Sequence, residues 1–219
     1  MISRTFLFTL AGIAGVLALG LLTLVAVQQH TPYRQQRVGG AFAMTEMNGR
    51  PVTDRDLMGK PTAIAFGFSY CPEVCPTTLS MLSQAMGGMG RDVDRVNVVF
   101  VTVDPARDTA DQMKLYLSSF DPHIRGFTGT EAQVAGITNA YHVFTQRVPT
   151  EGGGYTMNHS AGVMLFDARG DLVGQIPYDD TPDQALAKLS TLVQPHACLP
   201  GGPPRVDLWS GAKLAGCSS

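Results

Sequence analysis

The chain has 219 residues, in which 16 lysines and arginines face 18 aspartates and glutamates for a formal net charge of −2 at pH 7. With no basic stripe, that balance gives no reason to propose nucleic acid. Hydrophobic residues make up 44% of the sequence, ample for one buried core.

The first 30 residues differ from everything after them. Residues 6–27 are apolar or small, interrupted only by Thr9 and Thr23 and free of charge, with Arg4 before them and Gln28-Gln29-His30 after them. About 20 apolar residues span a bilayer, whereas the apolar part of a secretory signal runs to about 7 to 15. Residues 1–30 therefore read as an uncleaved membrane anchor, with cleavage near Leu24-Val25-Ala26 as the rival reading. Arg4 and the amino terminus argue for an N-terminus on the inside, although Arg34 and Arg37 follow the run. A polar linker over 31–38 leads to one domain over 39–193. Beyond it, residues 194–219 are a Pro- and Gly-rich tail that carries Cys198 and Cys217, for which a disulfide within the tail is the simplest assignment in an oxidising compartment.

Within the domain, residues 62–68 form a short apolar run bounded by Gly59 and Pro61, which predicts a buried strand. Cys71-Pro72-Glu73-Val74-Cys75-Pro76 follows, and then residues 77–86 with Leu79, Leu82 and Met86 at helical spacing. On the first turn of that helix the two cysteines would be i, i+4 neighbours with both sulfurs on one face. There they could share a metal ion or close a disulfide, and the unpaired N–H groups of the helix start would favour thiolate. The plainer reading is a structural disulfide or two inert core cysteines.

Residues 96–103 predict a second strand that ends at the turn Asp104-Pro105, followed by a helix over 109–120. Arg107 and Asp108 read as holding the start of that helix. A short strand over 126–129 and a helix over 131–141 come next. Residues 162–166 and 171–176 then flank Asp167-Ala168-Arg169-Gly170 as a hairpin, and Thr181-Pro182 opens the closing helix. Alternating strands and helices imply a parallel sheet with crossover helices. With the hairpin and last helix added, the expected fold is a thioredoxin-like α/β sandwich behind an N-terminal transmembrane helix.

Four motifs stand in a telling order: Cys71-Pro72-Glu73-Val74-Cys75-Pro76, the run from Val103 through Asp104-Pro105 to Thr109, Phe127-Thr128-Gly129-Thr130, and Asn158-His159-Ser160. In that order the chain over 39–193 resembles the Sco/SenC family, membrane-anchored thioredoxin-like copper proteins that serve cytochrome c oxidase assembly. The resemblance implies copper, as Cu(I) or Cu(II), on Cys71, Cys75 and His159. Asn158 stands where the family often has Asp, which removes a negative charge beside the site. Further expectations follow from the resemblance: a single-pass protein of the inner membrane facing the periplasm, with cytochrome c oxidase subunit II as the receiving partner. Another copper chaperone or a thioredoxin-like reductant would complete the partners.

The residue chemistry runs the same way. Two thiolates and one imidazole make a soft three-donor set that suits Cu(I), whereas closed structural zinc sites use four protein ligands. Of the five histidines, His30 and His196 lie outside the domain, His123 falls in a loop and His142 at a helix end. His159 reads as sitting at a strand entrance behind the mobile stretch Glu151-Gly152-Gly153-Gly154. Asp104 ends a strand beside the cysteine-bearing one, where it either supports a ligand or the thiols by hydrogen bonding or simply closes the strand. Met81, Met86 and Met89 read as core filler at helical spacing, with Met157 closer to the site.

Two functions use this pair of cysteines. The first is a copper metallochaperone delivering to the binuclear copper centre of subunit II. The alternative is a thiol-disulfide oxidoreductase in which Cys71 and Cys75 are a redox pair that reduces the cysteines of that partner. A peroxidase fits less well, because Pro72 occupies the place where peroxiredoxins carry Thr three residues before the reactive Cys. His159 discriminates between the first two, since disulfide exchange does not need it.

Overall fold

Ala43–Glu46 (β1) and Pro51–Thr53 (β2) pair antiparallel, with Gly49 at φ 86 in the turn between them. The computed structural model describes residues 38–193, together with the isolated helical positions Gly15, Gly20, Leu21 and Thr23. The chain divides into two units, Met1–Gln36 and Arg37–Ser219, and the fold described here belongs to the second. Thr62–Gly67 (β3) and Asn97–Thr102 (β4) run parallel, and every residue of both strands is buried. Burial on both faces is why these strands read in sequence as unbroken apolar runs rather than alternating ones. Ile124–Thr128 (β5) continues the parallel set on the far side of β4.

Thr145–Pro149 (β6) and Tyr155–His159 (β7) form a separate two-stranded ribbon. Val163–Phe166 (β8) returns antiparallel to β3, and Leu172–Ile176 (β9) closes the expected hairpin. The main sheet has seven strands in the order β2-β1-β5-β4-β3-β8-β9, with β3 and β4 at its interior.

Among the described residues four α-helices flank the sheet: Val74–Gly88 (α1), Ala110–Leu117 (α2), Glu131–Ala140 (α3) and Pro182–Val193 (α4). Helix α1 buries Leu79, Met81, Leu82, Ala85 and Met86, and packs along α4. A Cβ on Gly88 would come within 2.7 Å of Leu186, so the bare glycine is what lets these two helices approach. Thr109 starts α2 by accepting a hydrogen bond from the Gln112 N–H, and Thr130 does the same for α3 with Gln133.

Three readings of the sequence change here. Helix α1 begins at Val74, so Cys75 lies in its first turn and Cys71 in the loop before it. The ribbon β6–β7 was not expected, and His159 is the last residue of β7 rather than the first of a strand. The glycine run is the turn of that ribbon, closed by Thr150 N–H to Gly154 C=O at 2.9 Å, with Gly152 at φ 95 and Gly153 at φ 88. A side chain at either glycine would be strained at that φ. The anchor segment over 6–27, nearly all of it, and the cysteines Cys198 and Cys217 lie outside the described residues. Among the described residues no helix is long and apolar enough to cross a membrane.

Candidate metal centre

Strand β3 delivers the chain to the site and a buried acid fixes how it leaves. After Gly67 and the buried Phe68, the backbone turns through Ser69 and Tyr70, and the Cys71 N–H closes that turn onto Phe68 C=O at 3.2 Å. Asp108, fully buried, accepts from the Ser69 N–H at 3.1 Å and from the Ser69 hydroxyl, and takes a third bond from the Thr102 hydroxyl at 2.6 Å. One carboxylate thus ties the cysteine turn to the end of β4. Burial pushes the Asp108 carboxyl above its ordinary range, and the donors from Ser69 and Thr102 oppose that push.

The Cys71 sulfur accepts the Cys75 N–H at 3.4 Å, taking the place of a capping oxygen at the start of α1. Cys75 is buried beneath it, over Gly67. A Cβ at Gly67 would sit 2.8 Å from the Cys75 sulfur and 2.7 Å from the Phe100 ring, so only glycine leaves room for that sulfur. Both thiols are free. The Cys75 thiol donates to the Cys71 sulfur and this holds Cys71 well below the usual thiol range; burial works against it, while His159 and the N–H groups of Cys75 and Glu73 reinforce it. The same contact, with burial, pushes Cys75 up. The contact therefore favours thiolate on Cys71, the outer sulfur, over Cys75.

His159 comes to this pair from the end of β7. Its Nδ1–H donates to the Ser160 carbonyl at 2.9 Å, which fixes the ring with Nε2 turned toward the sulfurs. That Nε2 lies 3.5 Å from the Cys75 sulfur, and the Phe68 ring meets the imidazole edge-on at 5.9 Å and 88°. The three donor atoms of Cys71, Cys75 and His159 all fall within 4.8 Å of one another. Bonds of about 2.3 Å to sulfur and about 2.0 Å to nitrogen, as tetrahedral zinc sites show, place such donors about 3.5 Å apart. The residues present fit a soft metal ion in both chemistry and spacing.

The other singled-out residues land elsewhere. Asp104 is buried, but its carboxylate takes the Arg107 guanidinium and the Tyr155 hydroxyl, the latter at 2.9 Å, and hydrogen-bonds none of the three donors. Its carbonyl accepts the N–H groups of Arg107 and Asp108, so it also closes the strand. Arg107 and Asp108 do not hold the start of α2, which Thr109 caps; they reach instead to β7 and to the cysteine turn. Met81, Met86 and Met89 are buried in the core, and Met157 packs against its edge. Gly67, Ser69 and Tyr155 were missed. Gly67 and Ser69 flank Phe68 just ahead of the cysteines, but only the fold shows that a sulfur and a buried acid meet them.

The family model for SCO1/SenC matches residues 30–194. The chain belongs to the SCO1/SenC family. It is 34% identical over 167 residues to the mitochondrial protein SCO2 of Saccharomyces cerevisiae, spanning 75% of this chain and 56% of that one. It is 33% identical over 152 residues to a SCO2-like protein of Rickettsia felis, spanning 68% of this chain and 74% of that one. Among solved structures, Bradyrhizobium japonicum ScoI with copper bound superposes with a TM-score of 0.67 at 46% identity, over 71% of this chain and 99% of that one. Yeast Sco1 with copper bound superposes equally, TM-score 0.67 at 32% identity, over 74% of this chain and 91% of that one. The mixed α/β, thioredoxin-like fold of these Sco structures is the fold of this chain.

Proposed function

We propose that this Sco protein carries copper on Cys71, Cys75 and His159 and passes it to the binuclear copper centre of cytochrome c oxidase subunit II. The observation that carries the reading is the convergence of two sulfurs and an imidazole nitrogen within 4.8 Å, drawn from the start of α1 and the end of β7. Copper-bound Sco relatives of the same fold support the metal, and family membership supports a part in oxidase assembly. Cu(I) is satisfied by the two sulfurs with the imidazole as third donor, and Cu(II) by the same set with one further ligand. Residues 1–30 serve as a single-pass anchor that leaves this domain on the periplasmic side of the inner membrane, a reading supported by the uncharged apolar run over 6–27.

Two free cysteines in contact, with the outer Cys71 thiol lowered and the inner Cys75 thiol raised, favour a second reading, reduction of the partner's disulfide. Cys71 sulfur attacks one partner sulfur, forming a mixed disulfide and releasing the other as thiolate. Cys75, giving up its proton, then attacks Cys71, so the partner leaves with two electrons and this chain keeps a Cys71–Cys75 disulfide. A thiol reductant would restore it.

The two separate when copper-loaded, detergent-solubilised full chain is mixed with the soluble domain of subunit II in its reduced form. Appearance of the binuclear centre's absorption supports delivery. Copper that stays on this chain, with an oxidised subunit II domain reduced by the metal-free protein, transfers the function to the second reading.

A further inference from the structure

The ribbon β6–β7 stands apart from the seven-stranded sheet, yet it carries one of the three donors on its last residue. An isolated two-stranded ribbon is at best marginally stable in water. His159 can hold its place against Cys75 only if the body of the domain fastens the ribbon. The exposed Arg147–Glu131 ion pair at 3.8 Å links β6 to α3, while on the β7 side the fastening is Arg107. Its Nε donates to the Asp104 carboxylate and its Nη1 donates to the Tyr155 carbonyl at 3.1 Å. Its guanidinium also lies 3.9 Å over the Tyr155 ring and 4.8 Å from the Tyr70 ring, between β7 and the cysteine turn. Tyr155 closes the loop by donating its hydroxyl to Asp104 at 2.9 Å.

Asp104 is anchored to the body of the domain, buried just past the end of β4 with its own N–H bound to the Thr102 hydroxyl at 2.9 Å. Tyr155 opens β7 and His159 ends it, four positions on. An even offset puts both side chains on the same face of the strand, about 14 Å apart along it. Phe68 is a second link, since its ring lies 5.7 Å from the Arg107 guanidinium and meets the His159 ring at 5.9 Å.

We propose that Arg107, held by Asp104, is a positioning residue for the metal centre: it clamps the ribbon at Tyr155 and so fixes where His159 Nε2 stands relative to the two sulfurs. Arg107 hydrogen-bonds none of the three donors. This inference rests on the reading of Cys71, Cys75 and His159 as a copper site, but the clamp itself is testable without copper. Lysine cannot replace Arg107, because one ammonium cannot serve the Asp104 carboxylate and the Tyr155 carbonyl together while stacking on a ring.

The test uses the full chain and four variants: Arg107→Ala, Arg107→Lys, His159→Ala, and Arg107→Ala combined with His159→Ala. In the metal-free protein, amide hydrogen exchange should accelerate about tenfold or more across residues 145–159 in both Arg107 variants, with β3 and β4 amides unchanged. Cu(II) affinity, read by competition with a chelator, should fall about tenfold or more in both, in the range usual for groups that orient a metal ligand. Once His159 is alanine, removing Arg107 should change that affinity less than about twofold, the non-additivity expected of a residue acting through another. If Arg107→Ala does not fold, Arg107→Lys carries the same comparison, and Tyr155→Phe, which keeps the ring and loses the Asp104 bond, gives a weaker effect in the same direction. Wild-type exchange in the ribbon of both Arg107 variants, or an equal loss of affinity with and without His159, overturns the clamp. Absence of copper binding by the wild-type chain overturns the copper reading, and the exchange data still decide the clamp.

Discussion

His159 Nε2 lies 3.5 Å from the Cys75 sulfur although the two residues are 84 positions apart in the chain. Neither reaches the other by accident of local structure. Cys75 is set by the first turn of α1 over Gly67, and His159 by the end of a ribbon outside the main sheet. The functional reading depends on that distance, so the variants worth making are those that change it.

Gly67→Ala is the smallest such change. The added methyl meets the Cys75 sulfur at 2.8 Å and the Phe100 ring at 2.7 Å, and Phe100 is too deeply buried to give way. Overpacking of this kind costs about 1–3 kcal/mol. Chemical denaturation should show that loss, and chelator competition a drop in copper affinity. Wild-type values in both would mean that Gly67 is not needed to seat Cys75.

Asp108 gives a pH dependence with a definite sign. Burial raises its carboxyl in the folded protein, so its contribution to stability is fully present below the unfolded value of 3.8 and is lost as pH rises through the folded value. Wild type should therefore gain stability relative to Asp108→Asn as the pH is lowered from neutral toward 4. Denaturant midpoints taken across that interval check it; a difference that shrinks or stays flat contradicts the assignment.

The parts legible in sequence were those whose burial is uniform. Strands β3 and β4 are covered on both faces and read as apolar runs, and the cysteine pair announced itself by spacing. The ribbon was not legible, because Thr145–Pro149 is mostly polar and half-exposed or exposed along its length, with no alternation to betray a strand. Strands β1 and β2 are four and three residues long, too short for any period to show. Cys71 was placed on the helix by spacing alone, whereas Pro72 steers the residue before it away from helical backbone. Cys75 precedes Pro76 and is helical all the same, which is why that rule did not decide the matter in advance. Asp104 was rightly placed at the edge of the sheet near the site, but its partners, Arg107 and Tyr155, depend on a ribbon the sequence did not reveal.

Removing the imidazole separates the two functions. His159→Ala should lose Cu(II) affinity by about 10-fold or more, since one of three donors is gone, while both thiols remain for disulfide exchange. Oxidase activity at limiting copper, measured alongside dithiol exchange by the purified protein, tests this. Full oxidase activity in the variant, with copper affinity lost and exchange retained, would reverse the ranking.

The membrane reading is tested by fractionation. An uncharged apolar run over 6–27 is long enough to hold the protein in a bilayer, so alkaline carbonate should leave it in the membrane pellet. Recovery of a soluble protein that begins near Gln28 would show that the run is a cleaved signal.

Most direct of all is X-ray absorption at the copper edge on the loaded full chain, compared with Cys71→Ser, Cys75→Ser and His159→Ala. One copper per chain with two sulfur scatterers and an imidazole pattern is expected, with each serine variant losing one sulfur and failing to retain copper against a Cu(I) chelator, and His159→Ala losing the imidazole. Wild-type copper without sulfur scattering, or a signal unaltered in the serine variants, would contradict the assignment of the metal to Cys71, Cys75 and His159.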